Sequence, residues 1–221
     1  MKRSFRHWSA RYFRDLFAYA IYCRLKPDMP WLTPAAVAFL DEWLGPQDVG
    51  IEWGSGRSTA WLASRMGRLV SIEHNAGWHK KTADDLARRH LDNVKYVLAE
   101  VADGAGGPDH PYVTAAREAP SGEVSFVLVD GVLRDHCAKL AMELLRPGGL
   151  LVIDDAHRYL PHASRSPNAL GEHASALGEI WQNVRDELRT WRRYWTSNGI
   201  KDTVFYVRPC EPITDIARAH P

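Results

Sequence analysis

Between Val49 and Asp154 five short apolar runs are separated by helical patterns or a long loop, and that alternation leaves few folds open. It is the signature of a parallel sheet with helices on its faces. Strands are expected over 49–53, 69–73, 94–98, 126–130 and 150–154. Helices are expected over about 57–66 and 78–90, and another repeats Cys137, Leu140, Ala141 and Leu144 on one face. The run Phe126-Val127-Leu128-Val129 is almost wholly apolar, as a strand covered on both faces should be. Residues 103–122, rich in Gly, Pro and Ala, read as a long loop with one short helix.

Arg146-Pro147-Gly148-Gly149 turns the chain into the fifth strand, and a polar loop follows from Asp155 to Gly171. A helix with Leu177, Ile180, Trp181, Val184 and Leu188 on one side comes next. The last element is an antiparallel pair, 190–196 and 203–207, turned at Ser197-Asn198-Gly199. Five strands and a hairpin make an α/β fold with a doubly wound, seven-stranded sheet. Residues 46–210 are expected to form this domain, with 1–45 as an N-terminal helical extension and 211–221 as a tail.

In the extension, Thr33-Pro34 is an N-cap followed by proline in the first turn, and Gly45-Pro46 stops the helix it begins. Before it, residues 1–26 carry an aromatic stripe through Phe5, Trp8, Tyr12, Leu16, Tyr19 and Cys23. Lys2, Arg3, Arg6, Arg11, Arg14, Arg24 and Lys26 oppose one acid, Asp15. Such a segment docks on its own domain, pairs two subunits in a homodimer, or touches a membrane surface weakly; the first two are the expectation.

The remaining composition excludes more than it selects. A net charge of +1 argues against a general nucleic-acid coat. Three well-separated cysteines, Cys23, Cys137 and Cys210, have no metal-binding spacing and read as reduced thiols of a cytoplasmic protein. No apolar run approaches the ~20 residues needed to cross a bilayer.

Open α/β sheets bind ligands beyond the carboxyl ends of their strands, beside strand one. There the chain turns through Gly54-Ser55-Gly56-Arg57-Ser58-Thr59, whose glycines allow close backbone approach to a ligand. Glu52 is an acid inside the end of strand one. Glu73 ends strand two, seventeen residues after Gly56, where a carboxylate can accept both hydroxyls of a ribose. Glu100 follows strand three, within reach of an adenine amino group. A nicotinamide-dependent oxidoreductase is the alternative, but its third glycine position is Thr59 here, and Glu52 has no task in such a site. A non-catalytic cofactor-binding domain is a third reading.

Glu-x-Gly-x-Gly after strand one, an acid ending strand two, Val-Asp-Gly ending strand four and Pro-Gly-Gly before strand five together resemble the Rossmann-like class I S-adenosylmethionine-dependent methyltransferases. The wording Ile-Glu-His-Asn-x-x-Trp and Trp-Thr-Ser-Asn-Gly is similar to a bacterial subgroup of that family. The resemblance implies S-adenosylmethionine as cofactor, with Gly54 and Gly56 facing its methionine part, Glu73 its ribose and His74 its adenine. Glu52, Ser55, Ser58, Glu100 and Asp130 complete the expected cofactor-binding set.

Methyl transfer needs alignment and a deprotonated acceptor. Expected catalytic residues are Asp130, Asp155 and His157, the last as a general base near neutral pH. Arg134 and Arg158 are candidates to hold an anionic substrate, and Asn198 to contact it from the hairpin turn. No Asn/Asp-Pro-Pro-aromatic motif is present, so a small-molecule or sugar-like acceptor methylated at oxygen is expected, with no nucleic-acid partner. Asp130, Asp154 and Asp155 end adjacent strands ~4.8 Å apart and are a candidate Mg²⁺ site. This arrangement resembles the catechol and caffeoyl-coenzyme A O-methyltransferases, with Asp155 where that family has Asn and Leu133 in place of its Lys.

Overall fold

A computed structural model describes residues 8–175 and 178–210; Phe5, Leu177 and the expected tail lie outside the described residues. Seven strands form one sheet in the order β3-β2-β1-β4-β5-β7-β6. The five parallel strands are β1 (Val49–Trp53), β2 (Arg68–Glu73), β3 (Val94–Leu98), β4 (Val124–Val129) and β5 (Leu150–Asp154). The hairpin β6 (Arg192–Ser197) and β7 (Asp202–Val207) joins antiparallel, with β7 against β5. The chain leaves β1 toward one edge, then returns to β4 beside it, so the crevice opens above β1 and β4.

Strand parity divides the core in two. Ile51, Trp53, Val127, Val129, Leu151 and Ile153 face α6 (Arg134–Leu144) and α7 (Gly178–Leu188). Phe126, Leu128, Leu150, Val152 and Phe205 face α2 (Pro34–Trp43) and α3 (Arg57–Ala63). Thr33 caps α2 by accepting from the Ala36 amide at 3.2 Å. The loop after β3 folds into a short helix, α5 (Pro111–Thr114), continued by a 3₁₀ turn. Between β2 and β3 runs α4 (Ala76–Arg88).

Helix α1 (Ala10–Leu25) has no buried residue. Its inner side includes Tyr19, whose hydroxyl donates to the Leu32 carbonyl at 3.3 Å. Among the expected stripe residues, Tyr12, Tyr19 and Cys23 are partly covered, whereas Trp8 and Leu16 are exposed. The helix therefore rests on the domain through its narrower aromatic side.

Candidate functional site

At the carboxyl ends of β1, β2 and β4 lies a cavity of about 430 Å³, lined by Gly54, Ser55, Glu73, His74, Asn75, Trp78, Asp130, Gly131 and Val132. That volume falls within the ~300–1,000 Å³ usual for small-molecule sites. Two glycines build its floor. Gly54 has φ +91°, and a Cβ there would lie 2.6 Å from the Gly131 nitrogen. A Cβ on Gly131 would overlap the Tyr112 hydroxyl. Only a bare backbone lets the turns after β1 and β4 come this close.

Glu73 organises the wall. Its Oε2 accepts from the Ser55 amide at 3.0 Å and the Ser55 hydroxyl at 2.9 Å; its Oε1 accepts from the Asn75 amide at 2.8 Å. His74 Nδ1 comes within 3.1 Å of Oε1 without hydrogen-bond alignment, and its ring stands edge-on to Tyr112. Trp78 closes the turn, donating from its indole to the Ser55 carbonyl at 2.6 Å and covering Gly56. Trp31 stacks on it and Lys81 lies over its ring. Gly56 therefore sits beneath an indole and does not line the cavity.

Glu52 was expected at the cofactor, and the register puts it elsewhere. It pairs with Ser71, two residues short of Glu73, so it lies below the rim and under α3. Fully buried, its Oε2 accepts from Thr59 Oγ1 at 2.7 Å and Ser71 Oγ at 2.6 Å. Thr59 in turn accepts from the Gly56 amide at 2.9 Å, so Glu52 braces the glycine turn from behind. Ser58, also buried, serves Glu52 and does not line the cavity. Glu100 is exposed beyond β3 and outside the lining.

Burial pushes the Glu52 carboxyl up to about 7, against the hydroxyls of Ser58, Ser71 and Thr59, with Glu73 adding to the rise. Native Glu52 holds its proton to about pH 7, while the unfolded chain releases it near ~4.3. Between these values the unfolded state binds fewer protons, so this group makes stability fall as pH rises. Glu52→Gln is expected to remove that fall, worth at most about 1.4 kcal/mol per pH unit. Urea unfolding across the window checks it; an unchanged slope would place the titration elsewhere.

Beside the cavity, charges cluster on one face of β4 and β5. Asp154 is fully buried; its Oδ1 accepts from Thr203 at 2.7 Å and its Oδ2 pairs with Lys201 Nζ at 2.5 Å. Lys201 also lies 3.9 Å from Asp155. Asp130 pairs with Arg134 at 2.9 Å. Burial and the Asp154 charge push the Asp130 carboxyl above the usual range, opposed by Arg134 and Lys201. Burial lowers Lys201, but Asp154, Asp130 and Asp155 outweigh it and hold the ammonium charged.

The structure gives several of the expected site residues other partners. The aspartates do converge, but the cation among them is Lys201, an ammonium of the chain itself, where Mg²⁺ was expected. Among the described residues no group of three or more His, Cys, Asp or Glu is arranged to hold a metal. Arg134 was expected to grip substrate. It is spent on Gly131 O, Asp130 O and Asp154 O at 2.8, 2.7 and 2.5 Å besides the Asp130 carboxylate, tying β4 to β5. His157 is 2% exposed, with Nε2 3.1 Å from the Pro167 carbonyl. Burial lowers its pKa, Asp202 and Asp155 opposing, and it lies outside the cavity lining. Arg158 is exposed, 3.4 Å from Asp155, and neither lines the cavity. Asn198 accepts from the Ile200 and Lys201 amides, each at 3.0 Å, and shapes the turn that delivers Lys201.

Lys201, Tyr112 and Trp78 escaped the sequence reading as site residues. Only Trp78 had a local signal, as the last residue of the Ile-Glu-His-Asn-x-x-Trp wording.

No family model and no curated protein matches the sequence. Solved structures do match. A methyltransferase-like protein from Silicibacter pomeroyi is 21% identical over 84% of this chain and 91% of its own, with a TM-score of 0.55. A Streptococcus mutans protein assigned as a methyltransferase, in complex with SAH, is 14% identical over 81% of this chain and 98% of its own (TM-score 0.54). An rRNA methylase from Streptococcus thermophilus is 14% identical over 78% and 93% (TM-score 0.50). With the glycine turn, the acid ending β2 and the antiparallel β7 in place, the chain has the fold of the class I S-adenosylmethionine-dependent methyltransferases.

Proposed function

We propose that the protein transfers a methyl group from S-adenosylmethionine to an oxygen of a small-molecule or sugar-like acceptor. The observation that carries this reading is the buried Glu73 carboxylate at the wall of a cavity whose glycine floor admits only backbone. Glu73 would accept the ribose hydroxyls, Gly54 and Ser55 would face the methionine part, and His74 would pack at the adenine. The cofactor supplies an electrophilic methyl on a sulfonium, displaced in line. The chain's part is alignment, exclusion of water and charge placement.

For proton removal Asp130 is the group that both lines the cavity and has a raised pKa; this is its proposed role in place of His157. Lys201, outside the cavity lining, would act from behind by holding Asp154 in place beside Asp130. RNA is the competing acceptor, since two structural neighbours are described as rRNA methylases, one from Streptococcus thermophilus and one from Clostridium thermocellum. The net charge of +1 and the missing Asn/Asp-Pro-Pro-aromatic motif favour the small molecule.

Isothermal titration is expected to show binding of S-adenosylhomocysteine and none of NADH; the reverse would replace this reading with an oxidoreductase. Transfer activity is expected to survive exhaustive EDTA treatment, because Lys201 and Arg134 already neutralise the acids. Activity lost with EDTA and restored by Mg²⁺ would show that a metal displaces Lys201.

A further inference from the structure

Helix α1 leaves a column of large apolar side chains in water. Phe13, Phe17, Ile21 and Leu25 are spaced four apart, so they stack on one face. They are 52%, 68%, 41% and 76% exposed. Single exposed apolar residues are ordinary; a contiguous stripe marks an interaction surface. Exposed Arg11, Arg14 and Arg24 flank it. The helix's one acid, Asp15, has a side chain only 15% exposed, held by Arg14 at 2.7 Å and set close against Gly199. Ahead of the helix the sequence adds Lys2, Arg3 and Arg6 and no acid.

We propose that α1 docks the protein on an anionic lipid surface, with the Phe13–Phe17–Ile21–Leu25 stripe at the boundary between headgroups and acyl chains. Charge complementarity selects this occupant. Two copies meeting stripe to stripe would bring their arginines together with no exposed acid on either helix to receive them. Anionic headgroups supply that partner, and arginine can lay its stem along the apolar face while its guanidinium reaches them. The contact is peripheral, since no described helix is long and apolar enough to cross a membrane. The opposite side of α1 carries Asp15, set against Gly199 in the turn that leads to Lys201. Docking would therefore place the acid–lysine cluster at the lipid-facing end of the molecule. The inference stands whatever the acceptor is.

The test is flotation of the full chain with vesicles of phosphatidylglycerol mixed with phosphatidylcholine, against phosphatidylcholine alone. The protein is expected to float with the anionic vesicles at low salt and to be largely released at high salt. Phe17→Glu/Leu25→Glu, at exposed positions, is expected to abolish recovery with an unchanged Tm. Arg11→Ala and Arg24→Ala, which leave the stripe intact, are each expected to weaken binding roughly fivefold. No flotation of the wild type overturns the proposal, as does equal recovery on uncharged vesicles. A wild-type dimer that the double glutamate variant splits, with no lipid binding, would assign the stripe to a second copy instead.

Discussion

Glu73→Ala is expected to weaken S-adenosylhomocysteine binding by about 1.5–3 kcal/mol, roughly 10- to 150-fold, the range for losing hydrogen bonds to a charged group. Glu73 would meet the ligand while it accepts from both the amide and hydroxyl of Ser55 and from the Asn75 amide. Removing it takes away the proposed ribose acceptor and frees the turn that places Gly54. Glu73→Gln should fall in the same range, because an amide puts a donor opposite Ser55 or Asn75. Titration calorimetry measures both, with Tm recorded to show that the fold persists. Undiminished affinity in a folded variant would mean that Glu73 serves only the turn, and the cavity would lose its claim as the cofactor site.

The second large effect is on stability. Lys201→Met is expected to cost about 3–5 kcal/mol, the usual range for stranding a buried charge. Asp154 has no exposed surface, and among the described residues the one ion pair to its carboxylate is that of Lys201, at 2.5 Å. Thr203 alone does not replace it. The pH dependence follows from the same pair. Burial already raises the Asp154 carboxyl, with Lys201 opposing; without Lys201 it rises further. A raised acid stays protonated in the native state while the unfolded chain ionises near ~3.9. The variant should therefore lose stability as pH increases from about 4 upward, more steeply than the wild type. Asp154→Asn added to Lys201→Met is expected to recover much of the loss, since neither charge then remains. Chemical denaturation of the four members of this cycle decides it. Additive losses would show that the two residues do not stabilise each other.

Local chemistry was enough to locate the elements. Strands 49–53, 94–98 and 150–154 were legible to the residue; the first and last are wholly buried apolar runs with one acid each, and 94–98, an edge strand, was marked by its β-branched and aromatic residues. The Thr33 cap and the Asn198 turn were legible for the same reason: their hydrogen bonds close within three residues. The cavity lining at Gly54, Ser55, Glu73, His74 and Asp130 follows directly from motif order, since each residue ends a strand or begins the turn after it.

Roles that depend on register or on distant pairing were not legible. Whether Glu52 or Glu73 reaches the rim rests on how β1 aligns with β2, a two-residue difference that no local pattern encodes. Lys201 lies 47 positions from Asp154 in sequence and meets it only because β7 inserts beside β5. Arg134 looked like a substrate clamp because its type and place allow that; three backbone carbonyls, fixed by the approach of β4 to β5, use its donors first. Sequence determined which residues carry charge at the ends of the strands. Tertiary structure decided which of those charges are free, because the cost of burying an unpaired ion forces every nearby counter-charge to be used before a ligand can compete for it.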